Sequence, residues 1–334
     1  MNSIKNILKK NRWMVNIVHK YKILKFSNKY MNEFIHNYYD SKITQDKISY
    51  RILYVVHSLE KAYTNNKLRP FGIEKVKELY SLIMLYEKNN YDLSTYEYKI
   101  GISMLKKYLS TYYEYNWKKN EIVIELEKYF EQGKLKDINN IEIGARVLPL
   151  KNLLEGKEFQ YGNFLKTRHS VRKYSNKIVE DNTIIKIIDE CCCTPSACNR
   201  QMIKIYYPKT VEIKNVVTKY AMGKSCFDIN NVNYLIVTFD ISSLQFEGEM
   251  FQGWFNAGLM AMNIVNDMHS NGIGSCFIEF ANNYDDEKDL KNVLNIPVNQ
   301  KIAVLIAFGY YCDGTLNPIS SRNDVDNILN IVKR

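Results

Sequence analysis

Two apolar runs constrain the fold more than any other feature of the chain. Tyr234-Leu235-Ile236-Val237-Thr238-Phe239 and Ile302-Ala303-Val304-Leu305-Ile306-Ala307-Phe308 are continuous, of strand length, and rich in β-branched and aromatic side chains. Such runs read as central strands covered on both faces, because a strand with one wet face would alternate. Around them the periodicity predicts strands over Ile203–Tyr207 and Gly274–Phe280. It predicts helices over Asp181–Cys193, around Val211–Ala221, and over 250–270 and 284–294. Strand and helix interleave over this part of the chain.

The first 150 residues have a different character. They hold 26 Lys and Arg against 16 Asp and Glu, whereas the remainder is balanced at 20 and 20, so the whole net charge of +10 arises there. Residues 1–30 carry eight basic side chains and no acid. Ile4, Ile7, Leu8, Met14, Val15 and Val18 recur among them at helical spacing, which makes an amphipathic basic helix. Its apolar stripe can pack on its own domain, or the helix can attach to an anionic membrane surface. No nucleic-acid recognition motif accompanies the charge, which disfavours DNA or RNA as a partner. Residues 31–135 read as helical throughout, with clear helices at Arg51–Tyr63 and Glu74–Glu87 separated by the Pro70–Gly72 turn. Gly144, Pro149, Gly156 and Gly162 mark a linker over Asn139–Gly162. The expected organisation is therefore an all-helical basic region, 1–150, followed by a mixed domain, 160–334.

Several classes of protein are disfavoured. The apolar residues near the start are broken by Lys20, Lys22 and Lys25, which does not suit a secretory signal. The longest uncharged stretch, Met250–Asn266, carries Gln252, Asn256, Asn263 and Asn266, as a buried helix would and a membrane span would not. The seven cysteines form no metal-like spacing, and reduced thiols in a cytoplasmic protein is the expectation, with Cys191–Cys193 as small buried residues. No GxGxxG, GxxxxGK[ST], HExxH or GxSxG occurs. His269 and Cys276 lack a third group to orient them as base and nucleophile.

What remains is a set of donors in two clusters. Arg168, Ser170 and Arg172 occupy alternate positions, so an extended segment would project all three from one face. Guanidinium forks and a hydroxyl suit a phosphate. A short helix further on, Thr194-Pro195-Ser196-Ala197-Cys198-Asn199-Arg200-Gln201 adds a second group of polar side chains.

Taken together, these motifs resemble the nitroreductase family of FMN-dependent oxidoreductases. Arg168-His169-Ser170-Val171-Arg172-Lys173-Tyr174 is similar to the family's opening segment, and Pro195–Gln201 to its PSxxNxQ loop. Asn256–Asn263 resembles the long core helix, Gly272–Glu279 the strand ending near the flavin ring, and Ile296-Pro297 with Ile306–Tyr310 the last strand. The resemblance covers residues 160–334. It implies an α+β, nitroreductase-like fold, with a central mixed sheet flanked by helices and preceded by the all-helical N-terminal region, and FMN held by Arg168, Ser170 and Arg172, with His169 contributing backbone. It further implies Pro195, Ser196 and Asn199 along the ring and ribityl chain, Gln201 supporting them, Ile278 and Glu279 beside the reactive nitrogen, and Arg322 at the phosphate. It implies NADH or NADPH as electron donor, an electron-poor small-molecule substrate, and a homodimer with flavin at its interface. Where the family often has an aromatic residue after the loop, this chain has Met202-Ile203. Through His57-Ser58-Leu59-Glu60-Lys61 and Arg69-Pro70-Phe71-Gly72, the N-terminal region resembles extensions on nitroreductase-like proteins of surface-polysaccharide gene clusters. With the basic N-terminal helix as anchor, a second expectation is a flavin-binding or membrane-associated accessory module in surface-polysaccharide assembly, peripheral to the inner membrane face, without reductase turnover.

Overall fold

The computed structural model describes residues 12–39, 43–63, 68–131, 141–145, 160–221, 231–278, 280, 284–313 and 325–333. Among the described residues five helices come first: α1 (Arg12–Tyr39), α2 (Gln45–Tyr63), α3 (Ile73–Lys88), α4 (Tyr96–Glu114) and α5 (Glu121–Glu131). There follow α6 (Tyr161–Thr167), α7 (Asp181–Cys191), β1 (Ile203–Tyr206), α8 (Val211–Tyr220) and β2 (Asn233–Asp240). The last described elements of regular structure are α9 (Gln252–Ser270), β3 (Ile273–Ile278), α10 (Tyr284–Val293) and β4 (Gln300–Tyr310), with a short turn at Val325–Asn327.

The sheet has the order β1-β2-β4-β3, with every neighbouring pair antiparallel. A parallel element comes from outside the named strands, where Ser170 bridges Ser275 on β3. Both apolar runs lie at the centre, and the reason for their continuity is visible in the packing. Leu235, Val237, Phe239, Ile306 and Phe308 face a core that contains Ala257, Ala261, Ile264, Val265 and Met268 of α9. The alternate residues Tyr234, Ile236, Leu305 and Ala307 face a second core closed by Val217 and Tyr220 of α8 and Leu290 of α10. With helices on both faces, every β2 residue from Tyr234 to Asp240 is buried. Helix α9 approaches the sheet closely through Gly253, where an added Cβ would lie 2.1 Å from the Phe239 ring.

The N-terminal helices pack against the mixed region. Their core residues, among them Ile52, Val55, Leu79, Ile83, Tyr98 and Tyr108, form one continuous cluster with the α9 side of the sheet. Polar contacts reinforce the join. Tyr50 Oη donates to Asp240 Oδ2 at 3.3 Å, Arg51 Nη1 to Gln245 Oε1 at 2.9 Å, and Lys301 Nζ to Glu33 Oε2 at 2.9 Å. Between α2 and α3, Gly72 adopts φ 62°, the left-handed conformation that its turn requires.

Two local expectations change. The helix predicted to reach Cys193 stops at Cys191, where Cys192 N turns back to Asp189 O at 3.0 Å. Cys191 is buried as expected, but Cys192 and Cys193 are exposed, because they lie in the turn beyond the helix. The linker expected over Asn139–Gly162 falls largely outside the described residues.

Candidate functional site

The first cluster is built on the edge of β3. Val171 N donates to Ser275 O at 2.9 Å, tying the extended segment 168–174 alongside that strand. Val171 and Tyr174 are its buried anchors, and the Tyr174 hydroxyl closes back on Val171 O at 2.7 Å. Gly309 on β4 makes room for this packing, since an added Cβ would lie 2.7 Å from Tyr174 Cβ. The alternation then leaves Arg168, Ser170 and Arg172 half-buried and His169 exposed. All three act electrostatically or by hydrogen bonding on the thiol of Cys276, on the neighbouring β3. Burial raises that thiol's pKa, while Arg172, a hydrogen bond from Ser170 and Arg168 pull it down without reversing the shift. Cys276 is therefore a protonated core thiol and no nucleophile.

Next to this cluster, at the end of α9, His269 Nε2 lies 2.9 Å from Thr167 Oγ1 and His269 Nδ1 lies 2.7 Å from the Tyr311 hydroxyl. The imidazole is thus oriented after all, but by a threonine and a tyrosine, with no link to Cys276. Burial, then Arg168 and His169, lower its pKa, so it stays neutral around pH 7. Arg168 makes no ion pair with any described residue. A half-buried guanidinium beside an uncharged imidazole fits an anionic group such as a phosphate.

The second cluster is a strained loop. Cys198, Asn199 and Gln201 all have φ near +50°, a region that costs non-glycine residues about 1 kcal/mol or more each. The loop holds this shape through Ser196, whose carbonyl accepts from Asn199 N at 2.9 Å and whose Oγ accepts from Gln201 N at 2.9 Å. Gln201 Nε2 adds a contact to Asn199 O at 3.3 Å, so its side chain supports the loop from within. Pro195 and Gln201 are exposed, Ser196 and Asn199 half-buried.

Sequence reasoning missed the residue that fixes this loop. Arg200 is 0% exposed and pairs in fork geometry with Glu249, at 2.8 Å from Nη1 to Oε2 and 2.6 Å from Nη2 to Oε1. It also donates to Ala197 O at 2.9 Å and Ser243 O at 2.6 Å. Met202, read from sequence as a missing aromatic, is a fully buried plug against Ser243 and Asn256. Helix α2 packs against the 197–199 turn, so the N-terminal helices contact this part of the site directly.

Helix α9 relates the two clusters. Asn263 Nδ2 donates to Thr194 Oγ1 at 2.7 Å and His269 meets Thr167, placing the clusters about 9 Å apart along one helix at 1.5 Å per residue. Ile278 is buried at the end of β3. Glu279 and Arg322 lie outside the described residues. Among the described residues no group of His, Cys, Asp and Glu is arranged to hold a metal ion.

The stretch carrying both clusters matches the model of the Nitroreductase family over residues 165–234 and 244–310, less than half of the chain. The match includes β1, β3, β4 and helices α7 to α10, but only the first two residues of β2. Among solved structures, the chain is similar to a nitroreductase family protein from Streptococcus pneumoniae TIGR4, with 22% identity and TM-score 0.45, covering 52% of this chain and all of that one. It is also similar to an FMN-dependent nitroreductase from Clostridium difficile R20291, with 21% identity and TM-score 0.43, covering 51% of this chain and 98% of that one. A nitroreductase family protein from Clostridium novyi NT gives 20% identity and TM-score 0.42, covering 46% and 87%. No curated protein matches.

Proposed function

We propose that the chain is an FMN-dependent oxidoreductase that uses NADH or NADPH to reduce an electron-poor small molecule, such as a nitro compound or quinone, in alternating half-reactions. The observation that carries this reading is the placement of Arg168, Ser170 and Arg172 at alternate positions of a segment tied along the edge of β3, within the stretch that matches the Nitroreductase family. Bound FMN would supply two-electron transfer between nicotinamide and acceptor.

The residues divide the remaining work. Arg168, Ser170 and Arg172 hold the phosphate and the polar edge of the cofactor, with His169 contributing backbone. Arg322 adds charge at the phosphate, and Ile278 and Glu279 border the reacting face. Pro195, Ser196 and Asn199 line the other side, and Gln201 keeps their loop in shape. His269 stays neutral, so it orients Thr167 and Tyr311 without competing for the anion. Exposed Phe251 and Phe255, at the start of α9 and within the uncharged stretch Met250–Asn266, offer a surface for a homodimer that joins the two walls.

Purified protein incubated with FMN and desalted is expected to be yellow and to reduce a quinone or nitroarene with NADH or NADPH, giving parallel-line kinetics. A preparation that stays colourless in excess FMN overturns the proposal.

A further inference from the structure

The side of α1 that faces away from the protein is apolar and framed by lysines. Met14, Ile17, Tyr21, Leu24, Met31 and Ile35 are all exposed and recur at spacings of three and four, with Asn28 as the single polar member of the series. At 3.6 residues per turn they form one stripe running about 32 Å along the helix. Trp13, 71% exposed, lies beside its start. Lys20 follows one edge of the stripe; Lys25, and Lys22 beyond it, follow the other.

The opposite side of the helix is already engaged. Tyr30 and Phe34 are buried, the Tyr30 hydroxyl donates to Met250 O at 2.6 Å, and its ring packs on Trp254 at 4.8 Å. Lys29 pairs with Asp285 at 3.3 Å. Glu33 is the helix's one carboxylate and it is turned inward to Lys301. The docked side therefore fixes the helix, and the outward side offers apolar and cationic groups with no acid among them.

We propose that α1 seats the protein on an anionic membrane surface, lying parallel to the membrane plane with its apolar stripe at the acyl boundary. Lys20, Lys22 and Lys25 would reach lipid phosphates on both sides of the stripe, their stems long enough to lie along apolar surface. Trp13 and Tyr21 are the amphipathic rings that favour the headgroup level. The attachment is interfacial, since no described helix is long and apolar enough to cross a membrane. A second copy fits the stripe poorly. Parallel heptad pairing would set Lys20 of one copy against Lys25 of the next, at the flanking positions that decide partner choice.

Full-length protein should pellet with vesicles of equimolar phosphatidylcholine and phosphatidylglycerol at low salt, and not with phosphatidylcholine alone or at high salt. Joint substitution Ile17→Asp and Leu24→Asp should abolish pelleting. Joint Lys20→Gln, Lys22→Gln and Lys25→Gln should weaken it on the order of a hundredfold, at about fivefold per lysine. All five positions are exposed, so unchanged thermal melting and FMN content should accompany the loss, keeping this test separate from the cofactor assignment. Equal pelleting with neutral vesicles, or none with anionic ones, overturns the proposal. So does a variant that changes oligomeric state by light scattering while vesicle binding stays the same, which would assign the stripe to a second copy.

Discussion

At Arg200, one side chain sets the shape of half the candidate site. Its guanidinium is dry, and its positive charge is matched by Glu249. Burial works against ionisation of Glu249, but hydrogen bonds from Arg200 and from the backbone of Gln245 and Phe246 outweigh it and hold its carboxyl below the usual range. Removing one partner of such a pair leaves a buried charge uncompensated, so Glu249→Gln should cost about 3 kcal/mol. A carboxyl with a depressed folded pKa contributes stability above its unfolded value of 4.5 and loses it as pH falls through the folded value. The melting-temperature gap between wild type and Glu249→Gln should therefore be wide at pH 7 and close below pH 4.5. A gap independent of pH would mean that the pair is not ionised as described. Arg168 and Arg172 give a different readout. Each, changed to Ala, should weaken FMN by about 2–3 kcal/mol, roughly a hundredfold in Kd, as measured by fluorescence titration. Since both are only half-buried, their melting temperatures without FMN should stay near wild type.

At the scale of elements, α9 carries the geometry. It touches Thr194 through Asn263 and Thr167 through His269, while Gly253 sets its distance from β2. Gly253→Ala places a methyl group within the Phe239 ring and forces helix or ring to move. The expected cost is about 1–3 kcal/mol, visible as a lower urea midpoint with unchanged slope, and FMN affinity should fall with it. Much of this architecture was legible beforehand. The runs at 234–239 and 302–308 announced two doubly covered strands, and helical periodicity placed α7 to α10 within a few residues. Alternation at 168–172 is kept in the structure, where Arg168, Ser170 and Arg172 are half-buried and Val171 between them is buried. The Arg200–Glu249 pair was not legible, because its partners are 49 residues apart and Glu249 looked like mere punctuation before an uncharged helix. Nor were the left-handed residues Cys198, Asn199 and Gln201, since no glycine marks them and only tertiary contacts hold them. Sheet direction was also hidden: a run buried on both faces looks the same whether its neighbours are parallel or antiparallel.

Across the whole molecule, the charge boundary in the sequence is not a boundary in the packing. The basic helical region and the neutral mixed region share packing: the aromatic-rich core of α2 to α5 continues without a break into the α9 side of the sheet. Tyr50 lies at the join, buried, donating to Asp240 in surroundings that raise the pKa of both groups, by burial first and then by mutual interaction for the tyrosine. A shared core implies shared cooperativity, so urea unfolding followed by far-UV dichroism and by tyrosine and tryptophan fluorescence should give one coincident transition. Tyr50→Phe keeps the ring but leaves Asp240 Oδ2 without its hydroxyl donor, and should cost about 1–3 kcal/mol. The discriminating result is the form of the loss. If the halves share one core, Tyr50→Phe moves the single transition to lower urea and both probes still coincide. If the sequence boundary were also a stability boundary, the probes would separate, with the helical signal lost before the sheet. In the coincident case α2 cannot leave the 197–199 turn without global unfolding, and the N-terminal helices are then a fixed wall of the candidate site.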